Sequence, residues 1–163
     1  EMSASLVGSE MCIRDRMEAA GDDGDFDALC QQLHRYQATL RTCFTLENFD
    51  NLIKNGRMRP IVGTLLRSLG IHIIADATAE GTIHVADKAR GVGKTYRAIT
   101  ALMKASKDCT DAEVVISHCE NLEGAMALKR QILADLPVKQ VDLLSCRGLT
   151  SFYAMEKGLI VGY

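Results

Sequence analysis

From Phe26 onward the apolar residues recur first at helical and then at strand spacing. Leu29, Cys30, Leu33, Tyr36 and Leu40 return every three or four positions, which predicts a helix with one buried face behind an Asp25 cap. Thr42–Thr45 is short and rich in β-formers, a strand candidate, and Thr45 is placed to cap a helix beginning at Leu46. Leu46, Phe49, Leu52 and Ile53 supply the stripe of that helix, and Gly56 is placed to stop it in a left-handed conformation. Pro60 opens a second helix, where its missing N–H costs nothing, with Ile61, Leu65, Leu66 and Leu69 inward and Gly70 at its end.

The second half alternates more regularly. Ile71–Ala77 and Thr82–Lys88 predict an antiparallel hairpin turning through residues 78–81. Tyr96, Ile99, Leu102 and Met103 predict an amphipathic helix, and Val114–Ile116 a buried strand. Asn121 is placed to cap a helix with Leu122, Ala125, Met126, Ile132 and Leu133 inward, ended by Pro137. Val141–Leu144 and Leu159–Val161 complete the strands. Such alternation predicts the α/β class, a mixed β-sheet with packed helices.

Residues 1–16, EMSASLVGSEMCIRDR, show neither period nor turn logic, and SLVGSEMCIRDR resembles translated sequencing-adapter read-through. The expectation is a non-native segment at 1–16 and a folded part over 17–163.

A chain of 163 residues suits one domain with a real core, and its net charge of -2 argues against a nucleic-acid partner. No apolar run is long enough to span a bilayer, and no secretory signal is visible. The six cysteines, Cys12, Cys30, Cys43, Cys109, Cys119 and Cys146, include no CxxC pair. They fit buried thiols in a reduced, cytoplasmic domain better than a disulfide scaffold or a metal centre.

Several stretches invite a chemical reading. Gly21–Asp25 is acidic but lacks the spaced ligands of a calcium loop, so a solvated turn is expected. Gly91-Val92-Gly93-Lys94-Thr95 matches the end of a phosphate-binding loop, yet Lys88 stands where the first glycine is needed. Ser117 and His118 are neighbours on a strand and point to opposite faces, so no nucleophile pair is expected, and His118 reads as a polar residue at the sheet edge. His72 and His84 are expected to face each other across the hairpin, without a third metal ligand. Arg57 and Arg59 follow the Gly56 turn beside an apolar helix. A guanidinium fork there suits a carboxylate, against the ordinary fate of a solvated helix-end charge.

The order of LENFDNLIKNGRMRP, LGIHIIAD, HVADKARG, VVISHCENLEGA and SFYAMEKGLIVGY resembles the DegV family of bacterial fatty-acid-binding proteins. Where the family has Leu-x-x-Gly-Gly-Arg, Leu52–Arg57 reads LIKNGR; its Lys-x-Arg-Gly is matched by Lys88–Gly91, and its Ile-Ser-His-x-x-Asn by Ile116–Asn121. The resemblance implies the C-terminal lobe of a two-lobe protein that is not an enzyme. Such a protein binds a long-chain fatty acid and presents its carboxylate to a separate fatty acid kinase, with no cofactor and no catalytic residue of its own. Arg57 is then a head-group residue, and Ile61, Leu65, Leu66, Ile71 and Ile73 are the candidate wall for the tail.

Two departures accompany the resemblance. The family's hydroxyl residues from an N-terminal lobe are expected to lie in chain that precedes this sequence. Where many members carry Gly-x-His-x-Gly-Pro-Gly, Ser151–Gly158 stands here and Tyr153 most nearly takes the His position. A phenol donates one hydrogen bond but carries no charge near neutrality. The rival readings are a phosphate-loop nucleotide-binding enzyme fragment and a regulatory or structural interaction domain.

Overall fold

The computed structural model describes residues 25–58, 70–78 and 82–163. Segment 1–16, residues 21–24 of the expected acidic turn, Arg59, and Ile61, Leu65, Leu66 and Leu69 of the helix expected from Pro60 lie outside the described residues.

The elements are α1 (Phe26–Thr39), β1 (Thr42–Leu46), α2 (Asp50–Lys54), β2 (Ile71–Ala77), β3 (Ile83–Arg90), α3 (Val92–Ser106), β4 (Glu113–His118), α4 (Leu122–Asp135), β5 (Gln140–Ser145), α5 (Gly148–Ala154) and β6 (Leu159–Gly162). Six strands form one mixed sheet in the order β3-β2-β1-β6-β4-β5. The β4–β5 pair is parallel, with α4 as its crossover, and the other pairs are antiparallel. The α/β class expected from the alternation is therefore the class observed.

Period-two alternation divides the apolar residues between the two faces of the sheet. On the first face, Cys43, Ile74, Val114, Ile116, Leu159 and Val161 meet Ile99 and Met103 of α3 and Leu128 and Ile132 of α4. On the second, Phe44, Leu46, Ile73, Ala75, Val115 and Ile160 meet Phe49 and Leu52 around α2 and Ala154 of α5.

Four expectations need correction. Leu46 closes β1 opposite Ile73 rather than opening a helix, because pairing with β2 continues through it. Thr45 therefore caps nothing; Asn48 Oδ1 accepts from the Asp50 N–H at 2.9 Å instead. In α4, Leu122, Met126 and Leu133 are exposed, and the buried stripe is Ala125, Leu128 and Ile132. The Asn121 cap, whose Oδ1 accepts from Gly124 N–H at 3.1 Å, fixes that rotation. His84 stands opposite Asp76, with Nδ1 2.9 Å from Oδ1, while His72 stands opposite Ala89. The bulge between Ile74 and Ala75 belongs to the same ladder. Finally, His118 ends an interior strand flanked by β5 and β6, not a sheet edge. The short helix α5 has no predictive stripe, since Leu149 and Phe152 are exposed and only Ala154 is buried.

Burial also fixes protonation. The Cys43 and Tyr163 groups are driven far above their ordinary values, mainly by burial, and Cys146 is raised from 9.0 to about 11 by burial and then by Cys119. Each folded pKa exceeds its unfolded value, so the neutral form's contribution is complete below pH 9.0 and is lost as pH rises through about 11. In reducing buffer the urea midpoint is expected to hold from about pH 7 to 8.5 and to fall between about pH 9 and 11. A midpoint unchanged across that range would contradict neutral burial of these groups.

Candidate functional site

The second face of the sheet gathers the sequence-predicted residues that are described. Ile73 is fully buried there, and Ile71 and Tyr153 are half-buried against the same apolar cluster. Phe44 lies opposite Ala75 and Leu46 opposite Ile73, so β1 and β2 together make the floor. Phe49 and Leu52 pack over it from the α2 side. The floor was legible in the alternation of β1, once Leu46 is counted with the strand.

The turn after α2 sets the position of Arg57. Gly56 adopts φ 68, as expected for a helix stop, and the N–H groups of Arg57 and Met58 both donate to the Leu52 carbonyl, at 2.8 and 3.2 Å. Met58 turns into the cluster and Arg57 turns out to solvent. Among the described residues no ion pair or hydrogen bond engages the Arg57 guanidinium. The Asn51 side-chain N–H donates to the Phe152 carbonyl at 2.7 Å, which ties α2 to α5 and brings the Arg57 turn and Tyr153 to one face. Asn51 was not anticipated from the sequence, because its partner is about a hundred residues away.

Register adds a cationic border. Lys88 stands opposite Ile73 and Arg90 opposite Ile71, so the two cations of the Lys-x-Arg-Gly run share the face of the two isoleucines. That run does not form a phosphate loop. β3 is an edge strand, and only Gly91 separates its end from the first residue of α3. No loop remains in which successive N–H groups could wrap phosphates.

The run from Met155 to Gly158 closes this end of the sheet. The Lys157 N–H donates to the Cys119 carbonyl at 2.8 Å, Cys119 N–H donates to the Gly158 carbonyl at 3.0 Å, and Asn121 Nδ2 donates to the Lys157 carbonyl at 2.9 Å. Met155 and Lys157 take φ values of 53 and 66. With Tyr153 at the histidine position, these two residues fall on the glycines of the Gly-x-His-x-Gly-Pro-Gly pattern. Left-handed geometry is thus present without the residue that adopts it freely. His118, buried behind this turn, accepts from the Asn121 N–H through Nδ1 at 3.4 Å, which is a structural use of the ring.

A cavity of about 280 Å³ opens on the first face between the starts of α3 and α4, lined by Thr45, Tyr96, Glu123 and Lys157 among others. None of Ile71, Ile73 or Tyr153 lines it. Lys157 faces Glu47 at 3.6 Å. Among the described residues no group of three His, Cys, Asp or Glu side chains is arranged to hold a metal ion, and no helix is long and apolar enough to cross a membrane.

Residues 3–159 match the family described as DegV, an uncharacterised protein family. The chain belongs to the DegV family. A DegV domain-containing protein of Streptococcus pneumoniae strain R6 is 31% identical over 163 residues, which are 99% of this chain and 57% of that protein. One from Streptococcus gordonii is 32% identical over 139 residues, 85% of this chain and 49% of its own. The chain thus spans about half the length of these DegV relatives.

Solved structures agree with the fold. The S. pneumoniae fatty acid kinase (Fak) B3 protein loaded with linoleic acid superposes with TM-score 0.83 at 29% identity, over 95% of this chain and 55% of that one. A DegV protein of Ruminococcus gnavus with vaccenic acid gives TM-score 0.81 at 29% identity, over 94% and 54%. One from Eubacterium eligens with heptadecanoic acid gives 0.83 at 25%, over 93% and 55%. These DegV neighbours carry fatty acids as their ligands.

The backbone of the closing run generates a prediction. A side chain near φ 53 costs on the order of 1–3 kcal/mol, against about 0.5–1 for the freedom that glycine loses. Met155→Gly is therefore expected to raise unfolding stability by about 1 kcal/mol. Gly158→Ala is expected to lower it by about 2 kcal/mol or more, because the new Cβ would overlap the Ala154 carbonyl oxygen. Urea denaturation of both variants measures the pair, and a stabilised Gly158→Ala would refute the packing described.

Proposed function

We propose that this chain is the acyl-binding half of a fatty-acid-binding DegV protein that presents the lipid carboxylate to a fatty acid kinase. The observation that carries the reading is the backbone match to Fak B3 loaded with linoleic acid, at 29% identity over 95% of this chain. The gathering of Ile71, Ile73 and Tyr153 in one apolar cluster beside the Arg57 turn supports it from this chain's own residues.

In this reading the tail lies along the second face, against Ile71 and Ile73, with Ile61, Leu65 and Leu66 kept as wall candidates from the sequence alone. Arg57 and Tyr153 hold the head group. At roughly 0.8 kcal/mol per buried methylene, a tail of about sixteen carbons supplies on the order of 10 kcal/mol before ordering costs. The tail therefore sets affinity. The head-group contact sets orientation, since a guanidinium and a carboxylate both lose water when they meet. Binding and presentation need no bond-making group from this chain; phosphoryl transfer falls to the kinase partner.

Native mass spectrometry of the full-length protein carrying this half is expected to show a copurified fatty acid, or uptake of added oleate. An empty protein that takes up no oleate overturns the reading. Arg57→Ala is expected to leave the thermal midpoint within about 2 °C, since exposed side chains contribute little. Kinase-dependent phosphorylation of the bound lipid should fall by about tenfold or more, the worth of one charged hydrogen bond. Unchanged phosphorylation would remove Arg57 from the head-group site.

A further inference from the structure

β4 and β5 run parallel and in register from Glu113 opposite Gln140 to His118 opposite Ser145. One step beyond that last pair each strand continues into a cysteine, Cys119 and Cys146. The ladder holds there, because the Cys146 N–H donates to the His118 carbonyl at 2.8 Å. On its other side Cys119 is fixed through both backbone groups to Lys157 and Gly158. Both cysteines are half-buried free thiols, and both pack on the second-face cluster that includes Tyr153. Adjacent strands lie about 4.8 Å apart, inside the range of about 4.4–6.8 Å that a disulfide spans between Cα atoms. Cys43 and Cys109 belong to the opposite face, and Cys30 to α1, so this pair stands by itself among the described thiols.

We propose that Cys119 and Cys146 form a dithiol–disulfide latch, closed across the ends of β4 and β5 by exchange with a small neutral disulfide. The thiolate of one cysteine attacks a sulfur of the oxidant RSSR, whose S–S bond breaks as RS⁻ leaves and a protein mixed disulfide remains. The second cysteine's thiolate then attacks the protein sulfur of that mixed disulfide. The Cys119–Cys146 bond forms and a second RS⁻ leaves. The protein loses two electrons and two thiol protons, and the oxidant gains both as two RSH.

The surroundings set the rate. Burial and then the carboxylates of Glu120 and Glu156 keep the Cys119 thiol protonated, and burial does the same for Cys146. His118 precedes Cys119, while Arg147 follows Cys146 and Lys157 meets the Cys119 carbonyl through its backbone N–H. Closure is therefore slow near neutrality and accelerates with pH, unlike the low-pKa cysteine of a peroxide sensor. The two carboxylates disfavour an anionic oxidant. A closed latch joins β4 to the segment entering α5, the helix that carries Tyr153. Its effect on a bound lipid rests on the proposed function above, whereas the cross-link itself does not.

The full 163-residue chain, checked for folding by circular dichroism, is treated with hydroxyethyl disulfide at a series of pH values, acid-quenched, alkylated and digested with trypsin without reduction. Peptides 108–129 and 140–147 are expected to be joined, with fragmentation placing the bond on Cys119 rather than on Cys109 of the same peptide, at a rate rising roughly tenfold per pH unit below the thiol pKa. Dithiothreitol should separate them. The thermal midpoint should rise by several degrees on closure, as expected for a cross-link closing a loop of a few tens of residues. Cys119→Ser and Cys146→Ser should each abolish the link, with alanine in place of serine where a hydroxyl disturbs the packing. A folded chain that stops at the mixed disulfide on either cysteine, or that pairs either one with Cys30 or Cys109, overturns the proposal. Cross-linking in a protein that fails to bind oleate would sustain the latch and remove only the lipid reading.

Discussion

The fold depends on the insertion of β6 between β1 and β4. Four residues, Leu159–Gly162, pair antiparallel with Thr42–Thr45 on one side and with Val115–His118 on the other. Without them the β1-β2-β3 meander and the β4-α4-β5 unit would be two fragments with open edges. Long-range closure of this kind carries a large entropy cost before any contact rewards it. The offset comes from burial on both faces at once. Leu159 and Val161 join the α3–α4 core, while Ile160 joins the cluster with Phe44, Ile73 and Val115. The strand also ends the Met155–Gly158 run, so the closure that builds the sheet also builds the border of the candidate site.

The two faces serve different ends. The first is closed by two long helices, on which Thr95 Oγ1 donates to the Gly91 carbonyl at 3.1 Å and Thr100 Oγ1 to Asp135 at 2.7 Å, while the buried Thr45 hydroxyl finds no partner. The second is roofed in the described residues by a five-residue helix, α2, and a seven-residue helix, α5. Short helices contribute little stability of their own, and here they are held by side-chain packing and by the Asn51–Phe152 hydrogen bond. This thinly roofed aliphatic face, which also carries Lys88 and Arg90, is the one on which the proposed function places the acyl chain.

Period was the legible part of the sequence. Strand alternation in Ile71–Ala77 and Val114–Ile116, and helical spacing at Tyr96, Ile99 and Met103, correspond to observed elements because each follows from a buried face. Phase was less legible. Leu122, Met126 and Leu133 are as apolar as Leu128, and only the docking of Asn121 against the Lys157 carbonyl and the Gly124 N–H decides which of them face inward. Thr45 and Leu46 were misassigned for a related reason, since spacing to Phe49 looks helical when both residues meet the same cluster from different elements. Around the candidate site, the turn that precedes Arg57 was legible through Gly56. Asn51, Lys88 and Arg90 reach the same face only through tertiary pairing, which no local spacing reports.

In the head-group role proposed above, Tyr153 changes the chemistry offered to a carboxylate without a change in the course of the chain. Left-handed φ values at Met155 and Lys157 hold the closing run in a glycine-like course, so the helix before it still delivers residue 153 to the apolar cluster. An imidazole there could carry charge and bond through two nitrogens, whereas a phenol offers one donor and a larger apolar body. Positive charge must then come from elsewhere on the face, and Arg57 is exposed and uncommitted among the described residues, with Lys88 and Arg90 on the neighbouring strand. Since burial of the tail outweighs any single ion pair, such a redistribution alters how a carboxylate is oriented more than whether the amphiphile binds. On the proposed function, residue 153 therefore tunes orientation, whereas the aliphatic floor sets affinity.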